Sequence, residues 1–209
     1  MKKHLFAVAL ACGLGLGIQG LAMAGFAEGA SAYNAGRYEQ ALRDIVPLAR
    51  AGNADAQHLL GLMYYMGRGV KRDYKAALEW HRKAAQQGKA DAQYVVGAMY
   101  YTGNTVPQDQ LLAVQWFRRA AEQGHADAQY ALGLLYRFHV AGMPHDVVIA
   151  CMLWNLAAAG GNNNASAQRT ALARLMSQEQ IDEAQALSRN WKPGTPLPTA
   201  SRSGAGAGN

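Results

Sequence analysis

The side chains of this 209-residue chain that could do chemistry are few and do not converge. Beyond the N-terminal segment the histidines are His58, His81, His125, His139 and His145, with no common spacing. His139 and His145 flank a short loop and could grip a metal ion, but no cysteine pair or carboxylate stands at ligand spacing beside them. No metal and no cofactor is therefore expected. Cys151 sits beside Met152 and Leu153 and reads as a buried, inert thiol. A nucleophilic cysteine would want an electropositive neighbour. Serine is scarce in the segment expected to fold: Ser31, Ser166, Ser177 and Ser188. No Gly-x-Ser-x-Gly, Ser-x-x-Lys or His-Glu-x-x-His motif occurs. The loop Gly67-Arg68-Gly69-Val70 lacks the Lys-Ser/Thr pair that would make it a phosphate cradle, and it reads as a turn. Catalysis is not expected: an enzyme needs nucleophile, base and stabilising donors in one place.

The elements that carry these residues recur. Glycines at 52, 88, 124 and 160 are spaced by 36 residues, and the sequence around them recurs with them. Asn53-Ala54-Asp55-Ala56-Gln57, Lys89-Ala90-Asp91-Ala92-Gln93 and His125-Ala126-Asp127-Ala128-Gln129 each open a helix. Asp55, Asp91 and Asp127 then meet the positive end of a helix dipole, which is their structural reading. Gly61, Gly97 and Gly133 fall mid-helix, where glycine costs about 1 kcal/mol against alanine. Their recurrence implies a close approach of the second helix, at a point with no room for a Cβ. Asp73 and Asp109 are expected N-caps of that second helix. It carries Trp80 and Trp116 as wedges between hairpins and ends at Gly88, Gly124 and Gly160 as C′ glycines. In the third unit the loop from Phe138 to Pro144 is one residue longer, and Trp154 is displaced relative to the other two tryptophans. A fixed period of this size marks an array in which each unit buries its apolar face against its neighbours.

The expected organisation is a signal peptide over 1–24, a capping hairpin over 25–52, repeats over 53–88, 89–124 and 125–160, capping helices over 161–192, and a disordered tail over 193–209. The leader reading rests on Lys2 and Lys3, the uncharged apolar run that follows, and Ala22-Met23-Ala24 as a small-x-small cleavage site. Retention of that run as an anchor and lipid attachment at Cys12 are the alternatives. All of them place the remainder outside the cytoplasm, periplasmic or secreted, with no membrane span after cleavage. Cleavage leaves Cys151 alone, so no intrachain disulfide forms. The formal net charge is +6, but Lys and Arg are interspersed with acidic residues. That pattern suits a solvated surface and not a nucleic-acid stripe. The tail is Pro, Gly, Ser and Ala without periodicity.

The pattern Ala-x-x-x-Leu-Gly, then Tyr, Gly, Asp, Ala-x-x-Trp, Ala-Ala and Gly resembles the Sel-one-like repeat, a relative of the tetratricopeptide repeat, over Asn53 to Gly160. Trp154-Asn155-Leu156-Ala157-Ala158 and the segment Met176 to Ile181 look like the closing helices of bacterial members. The leading hairpin resembles a plain tetratricopeptide unit. The resemblance implies an all-α fold, a right-handed α/α superhelical solenoid of helix-turn-helix repeats with a concave binding face. It also implies scaffolding in cell-envelope or secreted complexes. A cysteine-rich subset of the family is associated with penicillin-like compounds, but its paired cysteines are absent here.

Positions that stay constant between units should serve packing, and those that vary on the same helix are free to serve recognition. At about 100° per residue, Gln57, Gly61 and Tyr64 with their equivalents share one arc of the first helix. A second arc holds His58, Leu62 and Tyr65, then Tyr94 and Tyr101, then Tyr130, Leu134 and Arg137. In tetratricopeptide-type arrays the first helix lines the inner groove, so these residues form the expected partner-binding stripe. Tyrosine gives a rigid contact area and one hydroxyl. The competing reading is that the tyrosines pack against the next repeat. The expected function is an exported, monomeric scaffold for a protein or peptide partner, not for nucleic acid. The alternative is a periplasmic enzyme or accessory acting on cell-wall or β-lactam substrates, by family analogy alone.

Overall fold

The computed structural model describes residues 25–203, so the leader lies outside the described residues. Every regular element among them is helical. Contacts divide the chain into two units meeting between Gln87 and Gly88, and each is described by itself.

Unit one holds α1 (25–34), α2 (Tyr38–Arg50), α3 (Ala54–Met66) and α4 (Tyr74–Gln86). Its helices start where the side chains can cap them. Asn53 Oδ1 accepts from the Ala56 N–H at 2.8 Å, and Asp73 Oδ1 accepts from the Ala76 N–H at 3.0 Å. These bonds satisfy amides that the first turn leaves without a helical partner. The buried interior is built mostly of small residues, Ala32, Ala41, Ala49 and Ala56, with Ile45, Leu60 and Met63 filling between them. Alanine on facing helices lets the backbones approach, and burial of the larger chains supplies the apolar stabilisation.

The glutamine of the opening motif is the polar fastening between hairpins. Gln57 is buried, its amide donates to the Ala49 carbonyl at 3.1 Å, and its oxygen accepts from Gln87 at 2.7 Å. In unit two, Gln129 donates to the Ala121 carbonyl at 3.1 Å in the same way. A buried amide needs such partners, and a carbonyl near a helix end needs a donor.

Unit two holds α5 (Ala90–Thr102), α6 (Gln110–Glu122), α7 (Ala126–Phe138), a 3-10 turn (Val140–Gly142), α8 (Val147–Ala159), α9 (Asn163–Ala173) and α10 (Gln178–Asn190). Helices α5 and α6, and α7 and α8, pair as hairpins, α6 packs on α7, and α8 also packs against α9 and α10. Helix α8 is apolar almost all round, with Val148 to Trp154 buried without a break. Ser177 and Gln180 close a reciprocal capping box at the start of α10.

Two sequence expectations change in unit two, and a third is made specific. The extra residue before α8 moves the whole helix one place along, so the left-handed glycine after it is Gly161 (φ 92°), not Gly160 (φ −80°). The same shift makes the expected displacement of Trp154 specific: it stands where Phe117 stands in the preceding repeat, and not at the place of Trp116. Finally, residues 193–203, expected to be disordered, run along the unit and are pinned at both ends. The Gly194 N–H donates to the Glu122 carbonyl at 2.7 Å, and the Ser201 N–H donates to Asp146 Oδ2 at 2.7 Å. Composition alone cannot show these bonds, because the acceptors lie far away in the sequence.

Candidate partner-binding face

The mid-helix glycines set the geometry of the first helices. A Cβ on Gly61 would lie 2.8 Å from the His81 ring, and one on Gly97 would lie 2.8 Å from the Phe117 ring. A Cβ on Gly133 would meet the Trp154 ring. Each glycine therefore admits a flat ring from the second helix of its own hairpin, which is more specific than the expected helix approach. The ring differs by repeat. His81 is fully buried, and neither of its nitrogens has a hydrogen-bond partner. Burial, helped by the nearby His58, lowers its pKa to about 3, so it is neutral at pH 7. Trp154 has a partner: its indole N–H donates to the Tyr130 carbonyl at 3.2 Å.

The expected stripe is distributed between the units. In unit one, His58, Leu62 and Tyr65 are each half-buried on α3. The His58 ring lies 5.0 Å from that of His81, and Tyr65 lies 5.3 Å from Tyr74. In unit two, Tyr94 stacks on His125 at 4.9 Å and tilts against Phe117 at 5.8 Å. Burial, and secondarily the Asp127 carboxylate, raise its phenol pKa above the ordinary 10.0. Tyr130 is half-buried, 6.5 Å from Trp154. Tyr101 is the most open of the tyrosines, 36% exposed. Leu134 is half-buried beside the core of the unit. Arg137 donates to His145 Nε2 at 3.2 Å and stands 5.5 Å over the Phe138 ring. Tyr94, Tyr101 and Tyr130 thus each give one edge to the packing of a glycine-seated ring, Tyr101 lying 6.2 Å from Phe117, and Arg137 is half-buried like Tyr94 and Tyr130.

Two apolar residues outside the sequence expectation join this surface. Phe138 is 60% exposed and Leu175 is 74% exposed. With Arg137, Gln168 and Leu172 they line a cleft of about 110 Å³ that reaches Trp154. The signal available in the sequence was an aromatic in the last turn of α7, where α3 has Met66 and α5 has Thr102. Chemically the face offers aromatic edges, one guanidinium and tyrosine hydroxyls. Cys151 is buried, and burial pushes its thiol pKa up against the opposing pull of Arg169. No group of three or more metal-ligating side chains occurs among the described residues. No helix among them is long and apolar enough to cross a membrane.

The Sel1-repeat family model matches at residues 54–89, 90–125 and 126–162. The chain belongs to the Sel1-repeat family. A Sel1-repeat protein from Oxalobacter formigenes is 32% identical, with a TM-score of 0.68, over 78% of this chain and 64% of its own. A protective antigen present in uropathogenic Escherichia coli strains, displaying an SLR fold, is 34% identical with a TM-score of 0.69. That match covers 81% of this chain and 37% of the antigen, so this chain spans less than two thirds of either protein. No curated protein matches the chain. The fold is an all-α solenoid of helix-turn-helix repeats, and Sel1 repeats are generally non-enzymatic scaffolds for protein–protein interaction.

Proposed function

We propose that this Sel1-repeat chain holds a protein or peptide segment on its first-helix faces, outside the cytoplasm, in a cell-envelope or secreted complex. The observation that carries the reading is the exposed apolar surface of unit two: Tyr101 on α5, and Phe138 and Leu175, which line one cleft with the half-buried Arg137. Exposed aromatics beside a guanidinium have the composition of interface anchors. The extracytoplasmic setting rests on the basic start and the uncharged run before Gly25.

The test separates face from core. Cross-linking in the native cell with mass spectrometry identifies the partner of the unaltered chain. A Tyr101→Ala, Arg137→Ala double variant keeps its helical circular dichroism and its melting temperature within a few degrees, and loses the cross-linked partner. Unchanged cross-links in the folded variant would remove this face from consideration. Sequencing the N-terminus of the recovered protein reports separately on export.

A further inference from the structure

The last described segment of the chain occupies a cleft of unit two in the manner of a bound peptide. Its sequence, Lys192-Pro193-Gly194-Thr195-Pro196-Leu197-Pro198-Thr199-Ala200-Ser201-Arg202-Ser203, forms no regular element. It is read chiefly through its main chain. The Gly194 N–H donates to the Glu122 carbonyl, and the Leu197 N–H donates to Glu122 Oε1 at 3.1 Å. Arg118 returns a bond to the Leu197 carbonyl at 3.0 Å, while its other nitrogen holds the Tyr136 hydroxyl at 2.9 Å. Asp146 takes the Ser201 N–H, and Glu183 takes the Arg202 N–H at 2.7 Å.

Only one large side chain of the strap is sunk into the protein, Leu197, which is 5% exposed. Pro196 and Pro198 flank it. Proline fixes φ near −65° and favours the extended polyproline conformation, so this stretch loses little entropy on docking. The floor is unusual within the chain. Asp146 occupies the capping position that Asp73 and Asp109 hold in the other repeats, yet it is 3% exposed where those two are open. Its Oδ1 caps two amides of α8 at 3.0 Å each, leaving Oδ2 to receive the strap. Beside the end of the strap a cavity of about 460 Å³ is lined by Glu179, Asp182, Glu183 and Arg202.

We infer that the surface formed by Arg118, Glu122, Tyr136, Asp146 and Glu183 is a peptide-reading cleft, and that the strap is its resident occupant. The partner that fits is an extended segment of another protein with a leucine between prolines and a basic residue a few positions later. Backbone recognition supplies most of the polar contacts, the leucine seat supplies selection, and the carboxylates at the far end favour a positive charge. The resident segment is tethered, so its effective concentration is in the millimolar range and a partner must displace it. These residues are distinct from the tyrosine-bearing stripe, and the inference does not depend on that stripe.

The experiment uses the full chain with its own strap loosened by Leu197→Asp and Ser201→Pro, the second of which removes the N–H that Asp146 accepts. The probe is a fluorescein-labelled synthetic peptide with the sequence of residues 192–203, followed by anisotropy. Saturable binding is expected to the loosened chain, at least tenfold weaker binding to the unaltered chain, and none of a peptide carrying Asp in place of its leucine. Adding Arg118→Ala to the loosened chain should weaken binding at least tenfold. A loosened chain that keeps its helicity but ignores the peptide, or binds the Asp peptide equally, overturns the inference. So does a concentration-dependent dimer by light scattering, which would make a second copy's strap the occupant. Should the loosened chain fail to fold, hydrogen exchange on the unaltered chain decides. Millimolar peptide should speed exchange at Ser201 and Arg202, and no change at either amide overturns the inference.

Discussion

The α3–α4 hairpin of unit one and the α7–α8 hairpin of unit two solve one packing problem with different side chains. Both carry a glycine mid-way along the first helix and seat a ring against it. In the α7–α8 hairpin the ring is Trp154, fully buried, with its only donor satisfied by the Tyr130 carbonyl. In the α3–α4 hairpin the ring is His81, equally buried, with neither nitrogen hydrogen-bonded. The shape of the seat is therefore constant, and its chemistry is not. What recurs from repeat to repeat is the hole, and each occupant brings its own polar debt.

The largest way to break the comparison is to empty the filled seat. Trp154→Ala should cost about 3–5 kcal/mol, read by chemical denaturation, because a large cavity is left and the indole bond to the Tyr130 carbonyl is lost. A loss under about 1 kcal/mol would mean that neighbouring chains collapse into the seat.

Next in size is the capping aspartate. Asp146→Ala removes both capping bonds of α8 and the strap's acceptor, and should cost about 2–3 kcal/mol. Asp109→Ala, a single exposed cap, should cost about 1 kcal/mol in the same assay. Equal losses at the two positions would show that the strap adds nothing to stability.

Adding a methyl group to the seat is a smaller perturbation. Gly61→Ala should destabilise by about 1–3 kcal/mol, since the new Cβ forces the His81 ring aside. Combined with His81→Ala the two effects should be strongly non-additive, because one change makes room for the other.

The smallest effect at neutral pH, and the one that sharpens the comparison most, is His81→Phe. The Gly97–Phe117 pair shows that a phenyl ring fits such a seat. The variant should gain about 1 kcal/mol at pH 7, because two unsatisfied nitrogens leave the interior. The sign of the pH dependence follows from the pKa of about 3 in the folded chain against 6.5 for a free imidazole. Between those values the unfolded chain takes up a proton that the folded chain refuses, so the native protein loses stability as pH falls below 6.5. The advantage of His81→Phe should therefore widen on acidification, by at most about 1.4 kcal/mol per pH unit. Melting curves at pH 7, 6 and 5 measure it, and parallel curves would show that His81 finds a partner on acidification.

Much of this architecture was legible in the sequence because its period is long and its motif is dense. Ala-Asp-Ala-Gln announces a helix start, and the glycine after Gln87 announces a stop, each by local chemistry. The occupant of the glycine seat was less legible. His81 sits among Arg82, Lys83 and Glu79 and looks like part of a polar face until the packing is known. The displacement of Trp154 was legible from the one residue inserted before α8, but its seat against Gly133 was not. The strap was illegible for another reason. Its order comes from carboxylates at Glu122, Asp146 and Glu183, which no window of consecutive residues can connect to Leu197 or Ser201. The candidate face was read in part. The tyrosine arc was visible as variation at fixed register, whereas the exposure of Phe138 and Leu175 depends on how α9 passes α7.

The glutamine hook has a consequence for how such a chain can lengthen. Gln57 and Gln129 clasp equivalent carbonyls, at Ala49 and Ala121, through equal distances of 3.1 Å. These two junctions, one inside each unit, present the same socket to the hairpin that follows. A duplicated block of 36 residues would arrive with both halves of the fastening already in its own sequence, so growth by copying requires no new chemistry at the seam.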